Sequence, residues 1–207
     1  MLTFCQNYFG ETGRYWFYLA KTLVGAWLIW IVRPHIPEMR WQIGWEAVVV
    51  GVAVFGIWVG LGGFLRWLGL DPSFSELKLS AKSWNPFVTY GDGSPLAWWF
   101  VGVRILGGTV VVPLLEEVFF RSFLYRYLAK PDFQSVPLGQ FLFVPFLVTS
   151  AIFGFEHREW LAGILCGFAY QGLVCRKKRL GDAITAHALT NFLLGLWVVW
   201  KGAWNFW

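Results

Sequence analysis

Charged residues are scarce in this chain of 207 residues. They make up 14% of it, whereas an average soluble domain is nearer a quarter charged. Hydrophobic residues account for 57%, and the mean hydropathy is +0.53. This composition argues against an ordinary soluble domain. It predicts an all-α fold, a polytopic bundle of membrane-spanning helices.

Other features are also missing. No Pro/Ser-rich linker or charge run divides the chain, so we predict a single integral membrane domain over residues 1–207. We find no internal repeat. The three cysteines, Cys5, Cys166 and Cys175, are an odd number, and two of them lie in apolar segments, which argues against a disulfide framework. Residues 1–14 lack the pattern of a cleaved signal peptide, and we expect none.

The net charge of +5 does not indicate a nucleic-acid partner. The only dense basic run, residues 176–179, directly follows an apolar segment, where it is typical of a topology signal. The positive-inside rule places this run in the cytoplasm and both termini outside. Fifteen Trp and twenty Phe suit interfacial belts and lipid-facing surfaces better than base stacking.

Six apolar segments predict about six transmembrane helices. They cover residues 15–32, 43–68, 96–128, 140–155, 160–175 and 181–200. The third has 33 residues and, at 1.5 Å per residue, is longer than the roughly 30 Å hydrocarbon core, so it must tilt, protrude or bend at Pro113. The polar stretch 71–95 is predicted to be an exposed loop with a short surface helix.

The third segment contains two adjacent carboxylates, Glu116 and Glu117, and then Arg121. Charged side chains at bilayer depth cost roughly 2.5 to 3.5 kcal/mol each, and those that occur usually serve a function. Neighbouring residues on a helix point about 100° apart, so the two glutamates cannot do the same job. Glu117 and Arg121 have the spacing of an i, i+4 ion pair. The alternative is a purely structural pair of glutamates, neutralised by Arg104, Arg121 or Arg126.

Two histidines and an asparagine complete the set of candidate polar residues. His157 ends the fourth segment, and His187 shares a helix face with Asn191 in the sixth. Taken alone, His157 reads as an interfacial histidine, and a lone buried histidine is more often a satisfied core residue than a catalyst. A His and Asn pair in an apolar helix needs polar partners, however, and Glu116 and His157 are among the few available.

Together these residues can hydrolyse an acyl bond. A carboxylate and a histidine can activate a shared water. A second histidine and an amide can donate hydrogen bonds to the developing oxyanion. No cofactor is required, although Glu116, His157 and His187 could instead hold a catalytic zinc ion. The spacing is not HExxH, so the sequence carries no local metal motif.

One expectation opposes this arrangement. If Arg126 and Gln140 lie at the same membrane surface, straight helices place Glu116 and His157 about 11 Å apart in depth, at 1.5 Å per residue. Helix tilt, a bend at Pro113 or a fourth helix that begins deeper must then close this gap. Glu156, beside His157, is also more polar than a buried site favours, and we expect it to mark the mouth of a cavity.

Three motifs occur in order: Pro113-x-x-Glu116-Glu117-x-x-x-Arg121, Phe153-x-x-x-His157 and His187-x-x-x-Asn191. They resemble those of the CAAX protease and bacteriocin-processing (CPBP, or Abi) family of intramembrane endopeptidases. The resemblance covers residues 96–200, which would form the catalytic core. It implies that Glu116 and His157 activate the water, that His187 and Asn191 form the oxyanion site, and that Glu117 and Arg121 support them.

The resemblance also implies partners and a location. The substrate would be a membrane-associated protein or peptide, not necessarily prenylated, and the chain would lie in the lipid bilayer of a prokaryotic plasma membrane. It is similar to the bacterial CAAX-prenyl-protease-related subgroup. The alternatives are a metalloprotease of the same family, a non-catalytic immunity or assembly factor, and a transporter with a glutamate proton relay, for which the expected inverted repeats are absent.

Overall fold

The computed structural model describes residues 10–69 and 83–207. All regular structure in these two ranges is helical, and neither contains a strand. The helices are α1 (Gly10–Val32), α2 (Trp45–Trp67), α3 (Pro86–Tyr90), α4 (Pro95–Ala129), α5 (Phe143–Phe155), α6 (Trp160–Lys177) and α7 (Gly181–Lys201). Short 3-10 turns lie at Arg33–His35, Pro37–Met39, Phe133–Ser135 and Trp204–Phe206.

Helix α4 has 35 residues and contains two π-helical stretches. They span Gly107–Val111 and Val118–Leu124, on either side of the α-helical turn Val112–Glu117. Single π turns within α-helices are frequent at functional sites. Pro113 follows the first π stretch, so the disturbance that the sequence predicts at this proline takes the form of a widened turn.

The six predicted spans correspond to six helices. The predicted and observed starts differ most in α1, which begins at Gly10 rather than at residue 15, and next in α5, which begins at Phe143 rather than at residue 140. Within residues 10–69 and 83–207, four helices are long and apolar enough to cross a membrane, at Thr12–His35, Trp45–Leu65, Pro95–Ala129 and Gly181–Lys201, and α5 is apolar but shorter. The helical membrane bundle is therefore confirmed.

The core lies between α2, α4, α5, α6 and α7. Glycines let two helix pairs approach closely. A Cβ atom at Gly51 of α2 would lie 2.8 Å from the Ala186 carbonyl of α7, and one at Gly167 of α6 would lie 2.8 Å from the Ser150 Cα of α5. A Cβ at Gly56 would meet nothing within 4 Å. The outer surfaces of α1 and α2 expose large apolar side chains such as Trp30 and Val49, which suits contact with lipid.

An aromatic cluster closes one end of the bundle. Tyr15, Trp84 and Phe100 are buried in it, with Tyr90 and Trp207 packed alongside. The described part of the predicted loop, residues 83–94, is therefore not simply exposed, because the buried Trp84 ring contacts Tyr15 at 4.8 Å. The short helix expected in this loop is present as α3. Residues 71–82 of the same loop lie outside the described ranges.

The opposite end is held by ion pairs. Glu46, at the start of α2, accepts a hydrogen bond from Lys177 at 2.9 Å. Arg126, near the end of α4, binds Glu38 at 3.1 Å. These contacts join the end of α6 to the start of α2, and the connection after α1 to α4.

Candidate active site

One cavity contains all four residues that the sequence nominates for catalysis. Glu116, His157, His187 and Asn191 line the same space of about 240 Å³. Aromatic rings form much of the remaining wall; they belong to Tyr18, Trp58, Phe153, Tyr170, Phe206 and Trp207. Side chains from α4, α5, α6 and α7, which are distant in sequence, therefore meet at one place.

The 11 Å difference in depth that straight helices would give is closed by a deeper start of α5, one of the three explanations that the sequence offers, and the register of α4 against α5 shows how. The Phe120 and Phe153 rings contact each other, with centroids 5.2 Å apart. The Tyr125 hydroxyl, later in α4, bonds to Gln140 and Leu142, just before α5, so the two helices run in opposite directions. Glu116 precedes Phe120 by four residues and His157 follows Phe153 by four, so both lie about 6 Å from this contact on the same side. The prediction used Arg126 and Gln140 as helix ends, whereas the ends are Ala129 and Phe143.

Glu117 is fully buried and binds two partners. Arg121 Nε donates to its Oε2 at 3.2 Å, so the predicted i, i+4 ion pair is present. Its other oxygen, Oε1, lies 2.9 Å from Nδ1 of His187. The guanidinium of Arg121 also stacks over the Phe153 ring at 4.7 Å. Glu117 thus contacts His187 without lining the cavity itself.

His187 is held on two sides. Its ring stacks on Tyr170 with centroids 5.1 Å apart. The Tyr170 hydroxyl donates to Thr190 Oγ1, and the single hydrogen of the Thr190 hydroxyl is shared between the Gly51 and Ala186 carbonyls, at 2.9 and 3.0 Å. An ionised Glu117 can only accept a hydrogen bond, so Nδ1 of His187 carries a proton and Nε2 is the remaining ring nitrogen.

Glu116 differs from Glu117 in its exposure and in its hydrogen bonding. Its side chain is 30% exposed and faces the cavity. Oε2 lies 4.0 Å from Nε2 of His187 and has no hydrogen-bond partner in the described residues. The structure therefore separates the two glutamates, as the helical spacing predicts. Glu117 is enclosed by Arg121 and His187, and Glu116 faces open space.

The His157 ring turns back onto its own helix. Nδ1 lies 2.7 Å from the Phe153 carbonyl, which can only accept, so this nitrogen donates. In neutral His157 the lone pair is then on Nε2, which is the form needed in a base. The ring also packs edge-on against Trp58 of α2, at 5.2 Å. His157 is therefore a half-buried wall of the cavity rather than an exposed interfacial residue.

Asn191 reaches the first π stretch of α4. Its Nδ2 donates to the Gly108 carbonyl at 2.8 Å. In a π turn this carbonyl would pair with the residue five positions later, which is Pro113 and has no N–H. The proline thus leaves the Gly108 carbonyl available to Asn191. The amide carries a second N–H on the same nitrogen.

Residues 96–193 match the family model described as "Rce1-like: Type II CAAX prenyl endopeptidase Rce1-like". The matched region is Rce1-like. It includes α4 to most of α7 and the four candidate catalytic residues of the cavity. It confirms the family resemblance of the sequence motifs. No curated protein and no solved structure was found to match the chain.

The Rce1-like region offers no ready-made metal site. Among residues 10–69 and 83–207, no three His, Cys, Asp or Glu side chains are grouped so that they could hold a metal ion. Glu116, His157 and His187, the alternative zinc ligands, line the same cavity without forming such a group. Nδ1 of each histidine faces an oxygen of the protein, which leaves Nε2 as the remaining ring nitrogen of each.

Sequence reasoning missed several parts of this Rce1-like site. It did not connect Glu117 to His187, because a contact across 70 residues has no local signal. It gave no role to Tyr170 or Trp58. It considered Arg104 only as a partner for the glutamates, yet no such pair exists in the described residues. Glu156, expected at the cavity mouth, is exposed and does not line the cavity.

Proposed function

We propose that this chain is an intramembrane endopeptidase that hydrolyses a peptide bond of a membrane-associated protein or peptide, in CAAX-type processing. The observation that carries the proposal is the meeting of Glu116, His157, His187 and Asn191 in one cavity. The Rce1-like match supports the same reaction class. The bilayer is that of a prokaryotic plasma membrane.

The reaction begins with a water held by Glu116 and Nε2 of His157. The Glu116 carboxylate removes a proton from this water while His157 orients it, and the hydroxide attacks the carbonyl carbon of the scissile bond. Glu116 is suited to this role because its Oε2 has no protein partner. Glu117 is not, since both of its oxygens are engaged.

The resulting oxyanion is received by Asn191 and His187. Asn191 donates its second amide N–H. His187 donates from Nε2 when that nitrogen is protonated, and the buried carboxylate of Glu117 balances the positive charge of the ring. When the intermediate collapses, the C–N bond breaks and the amine takes the proton that Glu116 had accepted. The products are a new carboxylate and a free amine, and no covalent enzyme intermediate forms.

Glutamate and histidine variants test this proposal. Protein reconstituted in liposomes is given a quenched fluorescent peptide with a CAAX-type end, with and without a farnesyl group, and the products are identified by mass spectrometry. Glu116→Gln and His157→Ala should each lower kcat/KM by about 100- to 10,000-fold. Cleavage by Glu116→Gln at the normal rate would exclude the proposal.

Two control variants carry the same types of substitution at residues outside the cavity. Glu156 and His35 are exposed, so Glu156→Gln and His35→Ala should stay within about twofold of the unmodified protein. The controls also address the non-catalytic alternative. An immunity or assembly factor would keep its function in Glu116→Gln and lose it only in variants that unfold the bundle.

A further inference from the structure

Arg104 forms part of the cavity wall, one turn of α4 before Gly108. Its guanidinium is enclosed by three aromatic rings. The central carbon lies 4.8 Å from the ring centre of Tyr18, 4.5 Å from that of Trp84 and 5.3 Å from that of Trp207. These cation–π contacts fix the position of a long, flexible side chain.

No carboxylate within the described parts of the chain pairs with Arg104. A cation in an apolar bundle is costly unless something offsets its lost hydration, and the aromatic rings do so only in part. A negatively charged group that enters the cavity would compensate for the rest of the hydration that Arg104 has lost.

The position of Arg104 relative to the catalytic residues limits what this group can be. Asn191, proposed to receive the oxyanion, contacts the Gly108 carbonyl, and Arg104 lies four residues before Gly108, about 6 Å along the helix. The side chain of Arg104 adds several ångströms to this distance. An extended peptide advances about 3.3 to 3.6 Å per residue, so the anion lies about two to four residues from the scissile bond.

We propose that Arg104 binds a carboxylate of the peptide substrate, about two to four residues from the bond that is cut. A guanidinium binds a carboxylate through two parallel hydrogen bonds, which fixes direction as well as position. Arg104 thereby sets which bond of the peptide reaches Glu116. The carboxylate is either the free C-terminus of the substrate or an acidic side chain. The inference rests on the proposed function, because it takes the cavity to be a peptide site.

Paired peptides test the proposal. One peptide ends in a free carboxylate and its twin in a carboxamide; a second pair has Glu or Gln at the second to fourth residue after the scissile bond. Unmodified protein should cleave the carboxylate member of one pair about 10- to 100-fold more efficiently in kcat/KM. The pair that shows the preference identifies the source of the carboxylate.

Variants then assign the preference to Arg104. Arg104→Gln should cleave both members of the discriminating pair at the slower rate, and Arg104→Lys should keep part of the preference. Arg158→Gln changes an exposed arginine that does not line the cavity and should keep all of it. The proposal is overturned if neither pair is discriminated, or if Arg104→Gln retains the full preference.

Binding separates this inference from the proposed function. Glu116→Gln should bind the discriminating peptides with the same carboxylate preference while cleaving neither, and the preference should disappear in Glu116→Gln with Arg104→Gln. If no peptide is cleaved but this preference is seen in fluorescence anisotropy, the catalytic proposal fails and the Arg104 site stands. Equal binding of both members would overturn the Arg104 site. Circular dichroism checks that Arg104→Gln is folded.

Discussion

Nδ1 of His187 lies 2.9 Å from Oε1 of Glu117, and the other oxygen of the same carboxylate binds Arg121. One buried carboxylate therefore joins an ion pair within α4 to a cavity histidine on α7. Any change in the ion pair also changes what holds His187. Support of the fold and orientation of the site are combined in Glu117.

Loss of either member of this buried pair should destabilise the bundle. Glu117→Ala and Arg121→Ala should each lower the free energy of unfolding by about 3 to 5 kcal/mol, because each leaves an uncompensated buried charge. Unfolding in detergent, followed by circular dichroism, measures the effect. Arg158→Ala, at an exposed position, is the control. The double variant should be less destabilised than the sum of the two single ones, and strict additivity would contradict the pairing.

Asn191→Ala should reduce kcat by about 100- to 1,000-fold with a much smaller change in KM, because an oxyanion donor acts mainly in the transition state. Asn205, which is exposed in the last 3-10 turn, provides the matched control. Asn205→Ala should leave both constants near their normal values. A rise in KM at unchanged kcat for Asn191→Ala would instead indicate a role in binding.

Chelators should leave peptide cleavage unchanged, because the cavity residues do not form a three-ligand metal group. The measurement compares kcat/KM before and after incubation with EDTA or 1,10-phenanthroline. Elemental analysis of the purified protein should find no stoichiometric transition metal. Activity that is lost on chelation and restored by zinc would favour the metalloprotease alternative.

Two Gly→Ala variants should change stability in opposite directions. At Gly167 the new methyl group would lie 2.8 Å from Ser150 Cα, which is backbone and cannot yield easily, so we expect a loss of about 1 to 3 kcal/mol. At Gly56 nothing lies within 4 Å, and alanine's higher helix propensity should add up to about 1 kcal/mol. Detergent unfolding compares the two, and equal effects would contradict the packing of α5 against α6.

Local sequence patterns were sufficient for the helices. Apolar length and the breaks at Pro34, Pro37 and Lys130-Pro131 placed six helices (α1, α2 and α4 to α7), because these signals act within a few residues. The i, i+4 spacing of Glu117 and Arg121 likewise predicted their ion pair. The same reasoning misplaced the start of α5 by three residues, because Gln140 to Leu142 are extended and bonded to the Tyr125 hydroxyl.

The positions of helices relative to one another could not be predicted from local sequence patterns. The depth of His157 depends on the contact between Phe120 and Phe153, and the orientation of His187 depends on Glu117 and Tyr170. Each is a packing relation between residues far apart in sequence. Arg104 had a visible signal, since it is an arginine in an apolar run, but its surroundings did not: three aromatic rings surround it, and the described ion pairs of Glu116 and Glu117 are with other residues.

Because α4 contains two π-helical stretches, a change in the number of its residues would by itself change the direction in which the glutamate side chains point. A π turn contains about one residue more than the α turn it replaces, and one residue corresponds to about 100° of rotation. Removing a single residue from Gly107–Val111 or from Val118–Leu124 would restore regular α-helix there and turn Glu116 relative to one end of the helix. Insertions and deletions, rather than substitutions, are thus a direct route by which such a bundle could gain or lose its activity while remaining a well-packed membrane protein.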